Sequence, residues 1–117
     1  MPMYSSVFGR TVRGADLTAA YWAAKLRRPV RFADACAATM EDAERTLYVE
    51  LGAPPPLIAS LDENTQSAPD AHTSVPTLRR GTSERESLLT SLGEARSRGC
   101  DPKWDRVLAA GEPRPGR

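Results

Sequence analysis

Five side chains in this sequence are of types that can act as nucleophiles or proton carriers: Cys36, Ser60, His72, Ser87 and Ser91. Nucleophilic catalysis needs a nucleophile, a base that activates it and donors for the developing oxyanion. A serine used this way in an α/β enzyme sits at a strand-to-helix elbow, in a G-x-S-x-G setting, and no such string occurs here. The three serines fall in stretches of helical pattern without the glycines of an elbow, and the expectation is that they are surface residues. His72, the only histidine, lies in a polar stretch with no evident scaffold, whereas a general base has to be held within hydrogen-bond reach of its target. Cys36 falls on an apolar helical face, which disfavours the thiolate, so a packing role is expected. The carboxylates show no acid–base pair, and glycine-rich phosphate loops and metal-ligand spacings are absent. The reading assigns no catalytic, cofactor-binding or metal-ligating residue.

The totals fit one small globular domain: 117 residues, 40% hydrophobic and 26% charged. Ten prolines exceed the usual share of about 5% and point to loop or linker. A net charge of +1 gives no reason to expect nucleic acid or an acidic membrane as partner. The pairs Arg27–Arg28 and Arg79–Arg80 read as ordinary surface or helix-end charge. No run approaches the roughly 18 apolar residues of a membrane helix, and the start, Met1-Pro2-Met3-Tyr4, lacks the build of a signal peptide. A cytoplasmic location follows as the expectation, with Cys36 and Cys100, which share no redox spacing, reduced.

The elements that would have to position any site can be read along the chain. Residues 4–12 suit short extended structure broken at Gly9-Arg10. Asp16 is a candidate N-cap for a helix whose face carries Leu17, Ala20, Tyr21 and Ala24. Pro29 should stop it near Arg27. A second helix is expected from about Val30, with Phe32, Ala35, Cys36, Met40 and Ala43 as its stripe. Residues 46–51 read as a strand buried on both faces, as in a parallel sheet, closed by Gly52. A triple proline then leads into a short helix with Leu57, Ile58 and Leu61. Residues 62–74 have no apolar period and read as a flexible linker. Residues 75–78 could form a short strand. Ser83 and Glu86 have capping-box spacing before a helix with Leu88, Leu89, Leu92 and Ala95 on one face, and Gly99 suits its end. Trp104, Val107 and Leu108 allow one more helical turn or two. Helices alternating with apolar strands favour an α/β architecture.

Residues 21–35, Y-W-A-A-K-L-R-R-P-V-R-F-A-D-A, resemble the Y-W-x-x-N-L-R-x-P-V-R-F-A-D-A signature of acyltransferase domains in modular type I polyketide synthases. Residues 2–10 are similar to that family's V-P-x-Y-S-T-V-T-G strand. Residues 48–51 and 55–57 are similar to F-V-E-V-S-P-H-P-V-L. Residues 77–80 and 88–99 resemble G-T-L-R-R and its following helix, and residues 101–108 look like the start of the post-acyltransferase linker. Two departures stand out. Lys25 replaces the usual Asn, and Gly52-Ala53-Pro54 replaces Ser-Pro-His.

The resemblance implies a partial α/β-hydrolase-like acyltransferase subdomain, a few strands with covering helices, followed by a linker strand and helix. Its expected divisions are residues 1–61 for the large-subdomain segment, 62–74 for the flexible linker, 75–110 for the adaptor strand and helices, and 111–117 for a disordered tail. In the family the serine nucleophile, in G-H-S-x-G, and the histidine base belong to earlier motifs that are not in these residues. The intact family domain moves malonyl-type units from coenzyme A to the phosphopantetheinyl arm of an acyl carrier protein. The chain by itself is therefore expected to be inactive, with no cofactor of its own. Its partners are expected to be the remainder of a synthase. An alternative is a non-catalytic module that complements or docks on a synthase subunit.

Overall fold

The computed structural model describes residues 2–52 and 54–109. Strands β1 (Met3–Ser5) and β2 (Arg10–Val12) form an antiparallel hairpin with Tyr4 opposite Thr11. Gly9 turns it at φ +65°, a conformation that costs glycine little and other residues more. A single 3-10 turn, Gly14–Asp16, follows.

The first helix, α1, runs Ala19–Arg27 with Thr18 as N-cap, not Asp16. Thr18 has extended backbone, and its hydroxyl accepts the N–H of Tyr21. The Asp16 carboxylate instead accepts the N–H of Arg13 at 2.8 Å, so Leu17 lies outside the helix. The stop at Arg27 is as expected: Arg28 is extended at ψ 151°, as the ring of Pro29 requires.

Helix α2 covers Phe32–Glu41, two residues later than the sequence pattern suggests, and it buries Ala35 and Cys36. The delay has a cause. The N–H of Arg31 is bonded to Ser6 O at 2.6 Å and its carbonyl accepts the N–H of Ala35, which makes Arg31 the cap and not an interior residue. Ala43 falls beyond the helix and is exposed.

Strand β3 (Thr46–Glu50) pairs in parallel with β4 (His72–Pro76), Thr46 opposite His72 and Glu50 opposite Pro76. Helix α3 (Ile58–Thr65) connects them, giving a β-α-β unit. The stretch 62–74 is thus not an unstructured linker. It holds the second half of α3 and the first residues of β4, and Leu61 and Thr65 are buried. Polar side chains hid this by bonding locally: Asn64 Nδ2 donates to Ser60 O, and Thr65 Oγ1 to Leu61 O. Nor is β3 buried on both faces. It has one strand neighbour, Val49 is exposed, and Leu51 just beyond is 83% exposed.

Helix α4 (Glu84–Ser97) begins on Ser83, whose Oγ accepts the N–H of Glu86. It ends in a Schellman turn. Cys100 N–H bonds Ala95 O, Gly99 N–H bonds Arg96 O, and Gly99 has φ +95°. Its buried face is Ser87, Ser91 and Ala95, while Leu88 is exposed. Helix α5 (Trp104–Ala109) closes the described chain. The tail expected at 111–117 lies outside the described residues. Helices and strands alternate in an α/β arrangement with two separate two-stranded sheets.

Candidate functional site

The signature stretch 21–35 builds a polar clamp between the hairpin and the first two helices. Tyr21, the one buried residue of α1, places its hydroxyl 2.9 Å from Ser5 Oγ, and that oxygen also accepts the N–H of Val7 at 3.1 Å. The Arg31 guanidinium donates to Phe8 O at 3.0 Å and to Asp34 Oδ2 at 2.7 Å. Gly9 fits against this pair. A Cβ there would stand 2.7 Å from Asp34 Cβ. The Phe8 ring meets Tyr21 edge-on and carries the guanidiniums of Arg10 and Arg28 at 5.4 and 5.5 Å. Trp22 is half-exposed, with the Lys25 ammonium 5.1 Å from its ring centre.

The side chains with nucleophilic potential are spent on packing. Ser87 and Ser91 are not surface residues: Ser87 is 1% exposed and both are buried. Ser87 Oγ donates to Thr77 O, and Ser91 Oγ is bonded to Pro76 O and Ser87 O. Two hydroxyls thus replace leucines on the face of α4 that meets the end of β4. The reason is that the last carbonyls there, buried by the helix, need donors. Arg79 completes the contact with a two-toothed bond to Glu94 at 3.0 and 3.1 Å. It is a helix–strand tie, not the free surface charge its neighbour Arg80 is.

Ser60 is half-buried on α3, and its carbonyl accepts from Asn64. Cys36 is buried on α2, as expected from its apolar face, and burial pushes its thiol pKa up. The backbone carbonyl of Cys36 accepts from both Thr39 Oγ1 and Tyr48 OH, and these two hydroxyls bond each other. Burial likewise pushes the Tyr48 phenol up. His72 is the first residue of β4 and only 8% exposed. It is held firmly, contrary to the reading of its surroundings as unordered, but its Nδ1 has no hydrogen-bond partner. It opposes Thr46, whose Oγ1 is also unpartnered. A histidine whose Nδ1 is oriented by nothing lacks the second half of a nucleophile–base–orienter relay. No group of three or more His, Cys, Asp or Glu able to hold a metal occurs among the described residues.

What this arrangement does chemically is hold backbone segments in register. The arginine, tyrosine and aspartate of the signature were legible in sequence only as a motif. Their partners, main-chain oxygens of a turn more than 20 residues away, were not.

The same residues carry the comparison with known proteins. No protein-family model matches the chain. It is 34% identical over 109 residues to polyketide synthase GfsE of Streptomyces halstedii, a match covering 93% of this chain and 3% of that protein. It is 33% identical over 113 residues to erythronolide synthase EryA2 of Saccharopolyspora erythraea, covering 97% and 3%. The crystal structure of the acyltransferase domain from the second module of the salinomycin polyketide synthase matches with a TM-score of 0.78 at 33% identity, over 98% of this chain and 27% of that one. This chain is related to modular polyketide synthases, in their acyltransferase region. It spans about 3% of the length of the curated relatives it matches. Among the described residues no helix is long and apolar enough to cross a membrane.

Proposed function

We propose that these residues are a structural segment of a polyketide synthase acyltransferase: strands and covering helices of its α/β-hydrolase-like part, without transfer chemistry of their own. The observation that carries the reading is the salinomycin match, a third of residues identical and the same fold over 98% of the chain. The clamp supports it, because Tyr21, Arg31 and Asp34 bind the protein's own backbone and side chains rather than facing an open cleft. On this reading α4 and α5 lead toward the adaptor that follows the domain. The partners are the remainder of a synthase, with its ketosynthase and acyl carrier domains. Malonyl-type coenzyme A thioesters are used only by the complete domain. The wider roles of hydroxyls and thiol also fit. Ser87 and Ser91 are committed to carbonyls, Cys36 is buried as a thiol, and none faces an activating base.

The test is covalent loading. Incubated with malonyl coenzyme A, the chain should show no malonyl adduct by intact mass spectrometry. A chimera in which these 117 residues replace the matching part of the salinomycin domain should load on the serine of that domain. An adduct on the isolated chain, or a chimera that does not fold, overturns the proposal.

A further inference from the structure

Helix α1 is held on one side only. Tyr21 points into the clamp, and the rest of the helix is open. Leu26, near its end, is 88% exposed, and Val30 just beyond is 76% exposed, with half-exposed Trp22 one turn back. Large aliphatic side chains left this bare together mark a surface that is meant to be covered. The patch is also rigidly presented. Pro29 restricts the backbone on one side of Val30, and on the other Arg31 is fixed to Ser6 O and Phe8 O.

The surrounding charge is one-sided. The first 31 residues contain Arg10, Arg13, Lys25, Arg27, Arg28 and Arg31 against the single acid Asp16, in a chain whose total is only +1. Of these cations, Arg31 alone is in an ion pair among the described residues. An apolar centre with an arginine and lysine rim is the composition of a docking face, and its complement is apolar with carboxylates at the edge.

Resting on the acyltransferase reading above, we infer that the face formed by Trp22, Leu26 and Val30, rimmed by Lys25, Arg27 and Arg28, is where the rest of an acyltransferase core seats, through an apolar surface edged with carboxylates. The occupant is indicated by the salinomycin match. This chain keeps the arrangement of that domain over 98% of its own length yet accounts for 27% of the domain. The remaining bulk of the domain has to pack on faces that are open here, and this is the open face whose aliphatic side chains are most exposed near the clamp.

The experiment compares Leu26→Asp in two settings: the isolated chain, and the chimera with the salinomycin core. In the isolated chain the leucine faces water, and its melting midpoint should not move. In the chimera a carboxylate would be forced into an apolar seam, and the midpoint should fall by about 10 °C. Val30→Asp should behave the same way. Arg27→Glu should give a smaller loss that shrinks as salt is raised. A chimera that melts normally with both Leu26→Asp and Val30→Asp overturns this face while leaving the acyltransferase reading intact. A chimera that fails to fold without any substitution overturns the acyltransferase reading and this face with it.

Discussion

At Gly9 two separate demands meet. The backbone has φ +65°, and an added Cβ would approach Asp34 Cβ to 2.7 Å and the Arg31 guanidinium carbon to 3.2 Å. The first demand was legible in sequence as a turn glycine. The second was not, because Asp34 comes 25 positions later and meets the turn only through the fold. Gly9→Ala combines the left-handed penalty of about 1 kcal/mol with overpacking of about 1–3 kcal/mol. Urea denaturation should show a loss of about 2 kcal/mol or more, and a loss within error would remove the close approach from the account. Tyr48 makes a pH prediction of definite sign. Burial raises its pKa in the folded chain, while in the unfolded chain the phenol titrates at about 10. Below that pH both states hold the proton and the contribution is complete. Above it the unfolded chain ionises first and stability falls until the folded value is passed. The urea midpoint should therefore drop as pH rises beyond about 10, and Tyr48→Phe should flatten that slope. An unchanged slope in the variant would assign the effect to other groups. Tyr4, raised chiefly by its hydrogen bond to Asp42, acts in the same direction.

Among the elements, α4 shows the sharpest contrast between local and non-local information. Both its ends were readable. Ser83 supplies the cap for Glu86 N–H, and Gly99 takes the left-handed position of a Schellman turn at φ +95°. The expected costs are about 1 kcal/mol for Ser83→Ala and about 1 kcal/mol for Gly99→Ala, where no atom lies within 4 Å and only the backbone resists. The two ends share no partner, so the double variant should lose about the sum. Thermal melts of the three variants check this, and a double variant no worse than either single one would mean that the helix ends are coupled. The buried face of α4 was misread. Leucine period pointed to Leu88, Leu89, Leu92 and Ala95, yet Ser87 and Ser91 are buried and Leu88 is exposed. Apolar periodicity reports what prefers to leave water. It cannot report that the carbonyls of Pro76 and Thr77 need donors at that spot. The linker reading of 62–74 failed for a related reason, since its polar residues close hydrogen bonds within α3 and along β4.

The molecule as a whole is open for its length. Its radius of gyration is 17.1 Å, against about 13 Å for a compact chain of this size. Its accessible surface is 8699 Å², against about 6,200 Å² for a folded monomer of this mass. The buried hydrophobic residues are few and divided between the hairpin clamp and the β-α-β unit, Val7, Val12 and Tyr21 in one and Leu61 and Val75 in the other. A parallel pair of strands is ordinarily covered on both faces, and here β3 leaves Val49 and Leu51 in water. Low stability follows: a calorimetric melt of the isolated chain should be broad and lie below the range of about 45–65 °C usual for mesophile domains. A sharp transition above about 65 °C would refute it.

Features set within a few residues were determined by the sequence alone. Pro29 ends α1 by its own ring, Ser83 and Gly99 bound α4, and the alternation of helix and strand follows from local pattern. The signature at 21–35 pointed to the acyltransferase family before any contact was known. The tertiary structure alone decided which polar groups meet: Ser5 with Tyr21, Arg31 with Phe8 O, Glu50 with the N–H of Leu57, and Ser91 with Pro76 O. Each joins segments whose separation along the chain carries no pairing signal in a single sequence. A side chain announces that it can make a hydrogen bond, but only packing fixes which buried group is left needing one.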